Sequence, residues 1–250
     1  MEQTKEDLAL SCVMLAGKIL IENGADMARV DDALYRIAKN AGLKDPKIFE
    51  TTTGIMMSLP ASYNAQVQPI QRRFGIDLEK IARVNDASRA FQDHKITLSE
   101  LQQKLTKIDE KVPFFAFKWQ VLGAALVSST LEVLYGGSWS DFLPTFAVGA
   151  MGYAVYYGVN DKLNLKFVSE FLASVVLAYL AVMLVKYDVG ISTDMIIIGA
   201  VMPLVPGVPL TNAVRDILAG HILSGIARAT EAFLSACAIG LGVGIVLRFL

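Results

Sequence analysis

Cysteine and histidine are nearly missing from this 250-residue chain, which has two of each. Cys12 lies in a polar stretch and Cys237 in an apolar one, so the two cannot build a disulfide framework; that fits a reducing compartment for the first half. His94 and His221 have no cysteine cluster near them, so no metal site is expected. Net charge is missing too. A value of −1 at pH 7 argues against a nucleic-acid partner. There is no P-loop, so no direct use of ATP, and no GxSxG or HExxH motif for hydrolysis. The chain is read as a non-enzyme that needs no cofactor. Its first residues carry Glu2, Glu6 and Asp7 in place of a basic region, so no signal peptide is expected.

What the chain has is apolar sequence, unevenly placed. Hydrophobic residues make up 54% and the mean hydropathy is +0.46. Residues 1–118 hold 17 of the 23 Lys and Arg and 16 of the 24 Asp and Glu. The contrast predicts a cytoplasmic α/β domain over 1–111 and a transmembrane domain over 112–250, with the boundary near Pro113. A bilayer core of about 30 Å takes roughly 20 apolar residues as helix. Five segments approach that length: 114–135, 142–159, 167–186, 190–206 and 229–249. With the N-terminus inside, 21 basic residues lie on the inner side, against Lys186 and Arg248 outside. That asymmetry predicts a multi-pass protein of the inner (plasma) membrane with a cytoplasmic N-terminus. Trp119 and Trp139 fall near the two ends of the first span, where amphipathic rings favour the interfaces.

The polar half reads as mixed α/β. Helical periodicity covers 5–23 and 26–41, closed by Gly24 and Gly42. "FETTTGIMMSLP" (49–60) reads as one strand, and "NAQVQPIQRR" (64–73) as an edge strand that tolerates Pro69. Helices over 77–92 and 98–109 follow, the second opened by a capping box of Thr97 and Glu100. Met56, Met57 and the aromatics of this half are assigned to its core.

Chemistry concentrates in residues 199–240. Pro203, Pro206, Gly207 and Pro209 break the fourth span, and a helix restarts near Thr211–Asn212. Asn212 and Asp216 stand at i and i+4, beside Arg215. His221, Ser224, Arg228 and Glu231 follow at spacings of 3, 4 and 3, on one helical face. Ionisable groups at membrane depth cost on the order of 3 kcal/mol on insertion scales, so they normally face a cavity or a partner. A broken helix whose N-terminus points into such a cavity suits a carboxylate ligand. The plainer reading makes 207–228 an amphipathic surface helix with solvated Arg215–Asp216 and Arg228–Glu231 pairs. Glu132, below Ser128, Ser129 and Thr130, is a weaker candidate for proton or substrate work. Glu170, beside Lys166, reads as a solvated end residue, and "GGSWSD" (136–141) as a tight outer turn.

"PGVPLTNAVRDILAGHILSGIARATEAFLSACAIGLG" resembles the signature of the threonine/serine exporter (ThrE-like) family. "GADMARVDDALYRIAKNAG", "TTTGIMMSL" and "FGIDLEKIARVND" resemble further family motifs, in order, and Asp141 resembles a family position. The resemblance implies a five-span long subunit of the split type, which works with a shorter membrane subunit. It implies export of threonine and serine by a secondary, proton-coupled mechanism, with dicarboxylate export, succinate included, as the alternative. Pro206, Gly207, Thr211, Asn212, Arg215, Asp216, Ser224, Gly225, Arg228 and Glu231 match the pattern. His221 departs from it, standing where the family usually has Asp. Thr211, Asn212, Arg215, Ser224 and Arg228 are therefore candidates for substrate binding, and Asp216, His221, Glu231 and Glu132 for proton coupling. The partners implied are the short subunit, the lipid bilayer and a small-molecule substrate; assembly of identical chains is the other way to complete a pathway. A membrane-anchored sensor or scaffold is the reading of a different class.

Overall fold

The computed structural model describes residues 5–59, 65–70, 75–111, 115–163 and 165–250. The expected boundary near Pro113 and the strand residues 64 and 71–73 lie outside them. The described chain is mainly helical, with ten α-helices and one three-stranded sheet. It divides into two compact units, one of residues 1–114 with 208–229, the other of residues 115–207 with 230–250.

The first unit packs apolar side chains inward. Helix α1 (Lys5–Glu22) is buried along most of its length, among α2 (Met27–Asn40), α3 (Leu78–Gln92), α4 (Leu98–Glu110) and the sheet. Ile19, Leu20, Leu34, Ile37, Ile55, Met57, Ile81, Leu101 and Leu105 fill that core. Helix α2 shows why its sequence is helical. Val30, Leu34, Ile37 and Ala38 recur on one stripe and are buried, while Asp26 caps the start by accepting from the Arg29 amide. The capping box at α4 is present with both halves formed by Thr97 and Glu100. Burial pushes the Cys12 thiol up to about 11, which keeps it unreactive.

The segment 49–60 is not one strand. It contributes to a hairpin of β1 (Lys47–Thr51) and β2 (Gly54–Ser58), turned at Thr52–Thr53, and β3 (Gln66–Pro69) pairs antiparallel with β2 at the edge. Pro69 occupies the edge, where a missing N–H is tolerated. Alternation then splits the methionines. Ile55 and Met57 point into the core, whereas Met56 is exposed in a cross-strand row with Phe49 and Val67. Phe49 and Tyr35 are exposed too, so the assignment of Met56 and these aromatics to the core is corrected; Phe91 is buried.

The second unit contains α5 (Phe117–Leu134), α6 (Phe142–Leu163), α7 (Lys166–Lys186), α8 (Thr193–Val201), a 3-10 turn (Met202–Leu204) and residues 230–249 of α10 (Ile222–Phe249). Small residues face inward here. Ala173, Ala178, Ala181 and Ala200 pack around Leu177 and Ile196, and a Cβ on Gly242 would lie 2.7 Å from the Phe171 carbonyl. Close approach through small residues is how helices pack in lipid. Leu134, Trp139, Leu143, Phe233 and Leu241 point outward, and both tryptophans of the sequence are exposed. Among the described residues, α6, α7 and α10 are long and apolar enough to cross a membrane. A fourth span is counted if α8 with the 3-10 turn and α9 (Gly207–Leu218) form one broken span.

Candidate functional site

The break falls at Val205–Pro206. Pro203 sits in the 3-10 turn before it, while Gly207 and Pro209 belong to the first turn of α9, where a missing N–H costs nothing. The helix therefore restarts at Gly207, ahead of Thr211, and Thr211 donates to the Val208 carbonyl one turn back. Helix α9 ends in a Schellman turn. Gly220, at φ +90, supplies the left-handed residue, the His221 amide donates to the Asp216 carbonyl, and the Gly220 amide to that of Ile217. The first turn of α10 then folds back on α9 so closely that a Cβ on Gly225 would lie 2.9 Å from the Ala213 carbonyl.

This α9–α10 corner holds the turn between α1 and α2, within the first unit. That turn is itself a Schellman ending at Gly24, with φ +86. Four consecutive residues each meet a partner on the corner. The Gly24 carbonyl accepts from Asn212 Nδ2 at 2.8 Å. The Ala25 carbonyl accepts from an Arg228 guanidinium N–H at 2.6 Å. Asp26 Oδ2 lies 3.1 Å from Arg215 and 3.5 Å from Arg29. The Met27 amide, one of the donors left open at the start of α2, gives its hydrogen to Asp216 Oδ1 at 2.7 Å.

Asp216 is fully buried, and its second oxygen is 3.0 Å from Arg228 Nε, in ion-pair contact but off the hydrogen-bond line. A carboxylate at a helix N-terminus beside a buried guanidinium is stabilised by both. The partners anticipated from spacing are exchanged. Arg215 pairs with Asp26 in place of its neighbour Asp216, and Arg228 lies against Asp216. Asn212, Ser224 and Arg228 are buried, whereas Thr211 and the Arg215 side chain, 57% accessible, share an exposed face.

His221 Nδ1 approaches Glu50 Oε1 at 3.7 Å, and Asp31 lies in the same field. Burial raises the carboxyl pKa of both Glu50 and Asp31 above the usual range; Asp31 adds to the rise at Glu50, and His221 opposes it at both. Glu231 belongs to the second unit, where it pairs with Lys166 at 2.9 Å. There Glu170 is buried, not solvated, and accepts from Ser235 Oγ at 3.0 Å. Asp141 is buried as well and ties a turn by accepting the amides of Ile191 and Ser192. Glu132 is fully buried.

A family model described as "Putative threonine/serine exporter" (ThrE) matches residues 11–250. The chain belongs to the ThrE family. "Probable succinate transporter subunit YjjP" of Escherichia coli K12 is 23% identical over 246 residues, covering 96% of this chain and 94% of that protein. The Klebsiella aerogenes protein of the same name is 21% identical, covering 94% and 90%. No solved structure matches this ThrE chain. The two segments that carry much of the resemblance, "GADM" and "TNAVRD", are the ones in contact at this corner.

Asp26 is the site residue that spacing alone does not single out. Its signal lies in the α2 N-cap position two residues after Gly24, which leaves its second carboxylate oxygen available to a basic partner. Glu50 carries no such signal, and Glu170 reads from the sequence as a solvated end residue beside Lys166.

Proposed function

We propose that the chain is the larger subunit of a secondary exporter of small carboxylate-bearing metabolites, threonine and serine first, driven by the proton gradient. Membership of an exporter family supports the class. One observation carries the assignment of the site: Arg215 is paired with Asp26 yet more than half exposed. A substrate carboxylate arriving there replaces Asp26 on the guanidinium and engages its fork of donors. Thr211, one turn earlier on the same exposed face, meets the amine or hydroxyl. Asn212 and Arg228 hold the turn that brings Asp26 into place. Protons move through the set Asp216, His221, Glu231 and Glu132.

Dicarboxylate export is the second reading. It is favoured by the names of the two relatives, which call those proteins probable succinate transporter subunits, and by the presence of two arginines. The remaining expectations join the proposal: five spans, a cytoplasmic N-terminal domain over 1–111, an inner-membrane location, and a shorter membrane subunit that completes the pathway. Two inverted repeats cannot be drawn from five spans, which supports the need for that subunit.

Counterflow of labelled threonine, serine and succinate in proteoliposomes, with and without the short subunit, tests the reading. Saturable flux of one of them that needs both subunits and is lost in Arg215→Lys is expected. Flux by the chain alone at the full rate removes the partner, and absence of flux with every substrate favours a membrane-anchored sensor.

A further inference from the structure

Among the described residues, seven buried side-chain polar atoms make no hydrogen bond, and four of them belong to three neighbouring residues. They are Ser128 Oγ, Thr145 Oγ1 and both carboxyl oxygens of Glu132, all on fully buried side chains. Glycines enclose them. A Cβ on Gly199 of α8 would lie 2.6 Å from Glu132 Cβ, 2.7 Å from the Ser128 carbonyl and 2.8 Å from Thr145 Cγ2. A Cβ on Gly149 would overlap Ser128 Oγ, and one on Gly137 would overlap Glu132 Oε1. The carboxyl group is thus walled by α5, α6, α8 and the turn after α5.

Among the described residues, Glu132 meets no cation there. The titratable group whose charge bears on it is Asp141, another buried carboxyl, and the Ser138 amide faces it without completing a hydrogen bond. Asp141 itself accepts the Ile191 and Ser192 amides. A carboxylate in an apolar enclosure beside a second carboxylate is the costly form of the group. One hydrogen ion removes that cost and needs no added space. The acid form turns an acceptor into a donor, and the Ser128 and Thr145 hydroxyls, buried in the same enclosure and without hydrogen bonds of their own, are the nearby groups able to accept it.

We propose that Glu132, with Ser128 and Thr145 as acceptors, is the proton-carrying site of the exporter. The step is the addition of one proton to the Glu132 carboxylate and its later release; no other bond changes. Its role in coupling rests on the exporter reading above, whereas occupancy of the site by a proton does not.

The experiment therefore has two arms. Infrared difference spectra of the purified full chain in lipid, recorded through a pH titration, follow the carbonyl stretch of protonated carboxyl groups. A band that Glu132→Gln deletes and Thr145→Val shifts without deleting is expected. The same band at full strength in a folded Glu132→Gln chain overturns the proposal whether or not transport is seen. In proteoliposomes with the short subunit, Glu132→Gln should lose uphill export driven by a pH gradient and keep counterflow, which needs no net proton movement. Retained gradient-driven export, or equal loss of both fluxes, overturns the coupling role. Absence of counterflow in the unmodified protein counts against the exporter reading alone, leaving the spectroscopic arm to decide the site.

Discussion

The two units bury opposite things. The first hides large aliphatic side chains, and each buried charge at its corner is met by a countercharge or a backbone group. The second hides serines, a threonine and carboxyls between small residues, and shows leucine, phenylalanine and tryptophan outside. Water on the outside drives the first arrangement, through removal of apolar surface. Hydrocarbon on the outside removes that drive, so helices associate through close packing and polar contacts instead. Charge follows the same division: Asp216 lies against Arg228, while among the described residues Glu132 has no such partner.

The sharpest test of the paired corner is Asp216→Ala. It removes the acceptor of the Met27 amide and leaves Arg228 buried without its carboxylate, a loss of about 3–5 kcal/mol. Hydrogen exchange should show α2 opening from its first turn. Asp216→Asn keeps the acceptor, so it should retain the turn and yet lose export; wild-type export by that variant would reject the corner as functional. In the second unit, the comparable insult is steric. Gly199→Ala must push aside the Ser128 backbone, and overpacking of this kind costs about 1–3 kcal/mol, readable as a lower thermal midpoint in detergent. A smaller effect, about 1 kcal/mol, is expected when Thr97→Ala removes the α4 cap in the first unit.

Glu50 tests whether the first unit tolerates an imperfectly matched charge. Its folded-state pKa is raised above 4.5 by burial first and the Asp31 charge second. The folded chain thus binds this proton more tightly than the unfolded chain. Stability from this group is fully present below 4.5 and is lost as pH rises through the raised value. Glu50→Gln should therefore raise the thermal midpoint at neutral pH, and the gain should vanish on acidification to below 4.5. A gain independent of pH would assign the effect to packing. The smallest change belongs to the solvated pair of Arg83 and Glu79, where Arg83→Ala should alter stability by less than about 0.5 kcal/mol.

Local order was legible in the sequence wherever it depends on near neighbours. The α2 stripe, the Thr97–Glu100 box, Pro69 at an edge and a break ahead of α9 all follow from residues within one or two turns of each other. Partners were not legible, because spacing reports only which residues share a face. Arg215 beside Asp216, and Arg228 one turn from Glu231, suggest local pairs, whereas the chain brings each a partner from far away. The Thr52–Thr53 turn was hidden for a related reason: three β-branched threonines in a row read as continuous strand and carry none of the Asn-Gly chemistry that marks hairpins. Glu170 reads as solvated beside Lys166, yet Ser235, the residue that accounts for its burial, sits 65 positions on.

The corner also fixes an order of assembly. The Gly24–Met27 turn leaves the ribosome early, but Asn212 lies 188 positions later and Arg228 lies 203 positions after Ala25. Until those residues have been synthesised, the Met27 amide and the Ala25 carbonyl have only water to bond. The first unit, though it begins the chain, is among the last parts to be completed. A nascent chain halted before residue 207 would carry an α2 whose entrance is still open, and closure of that entrance reports that the intervening helices have been made.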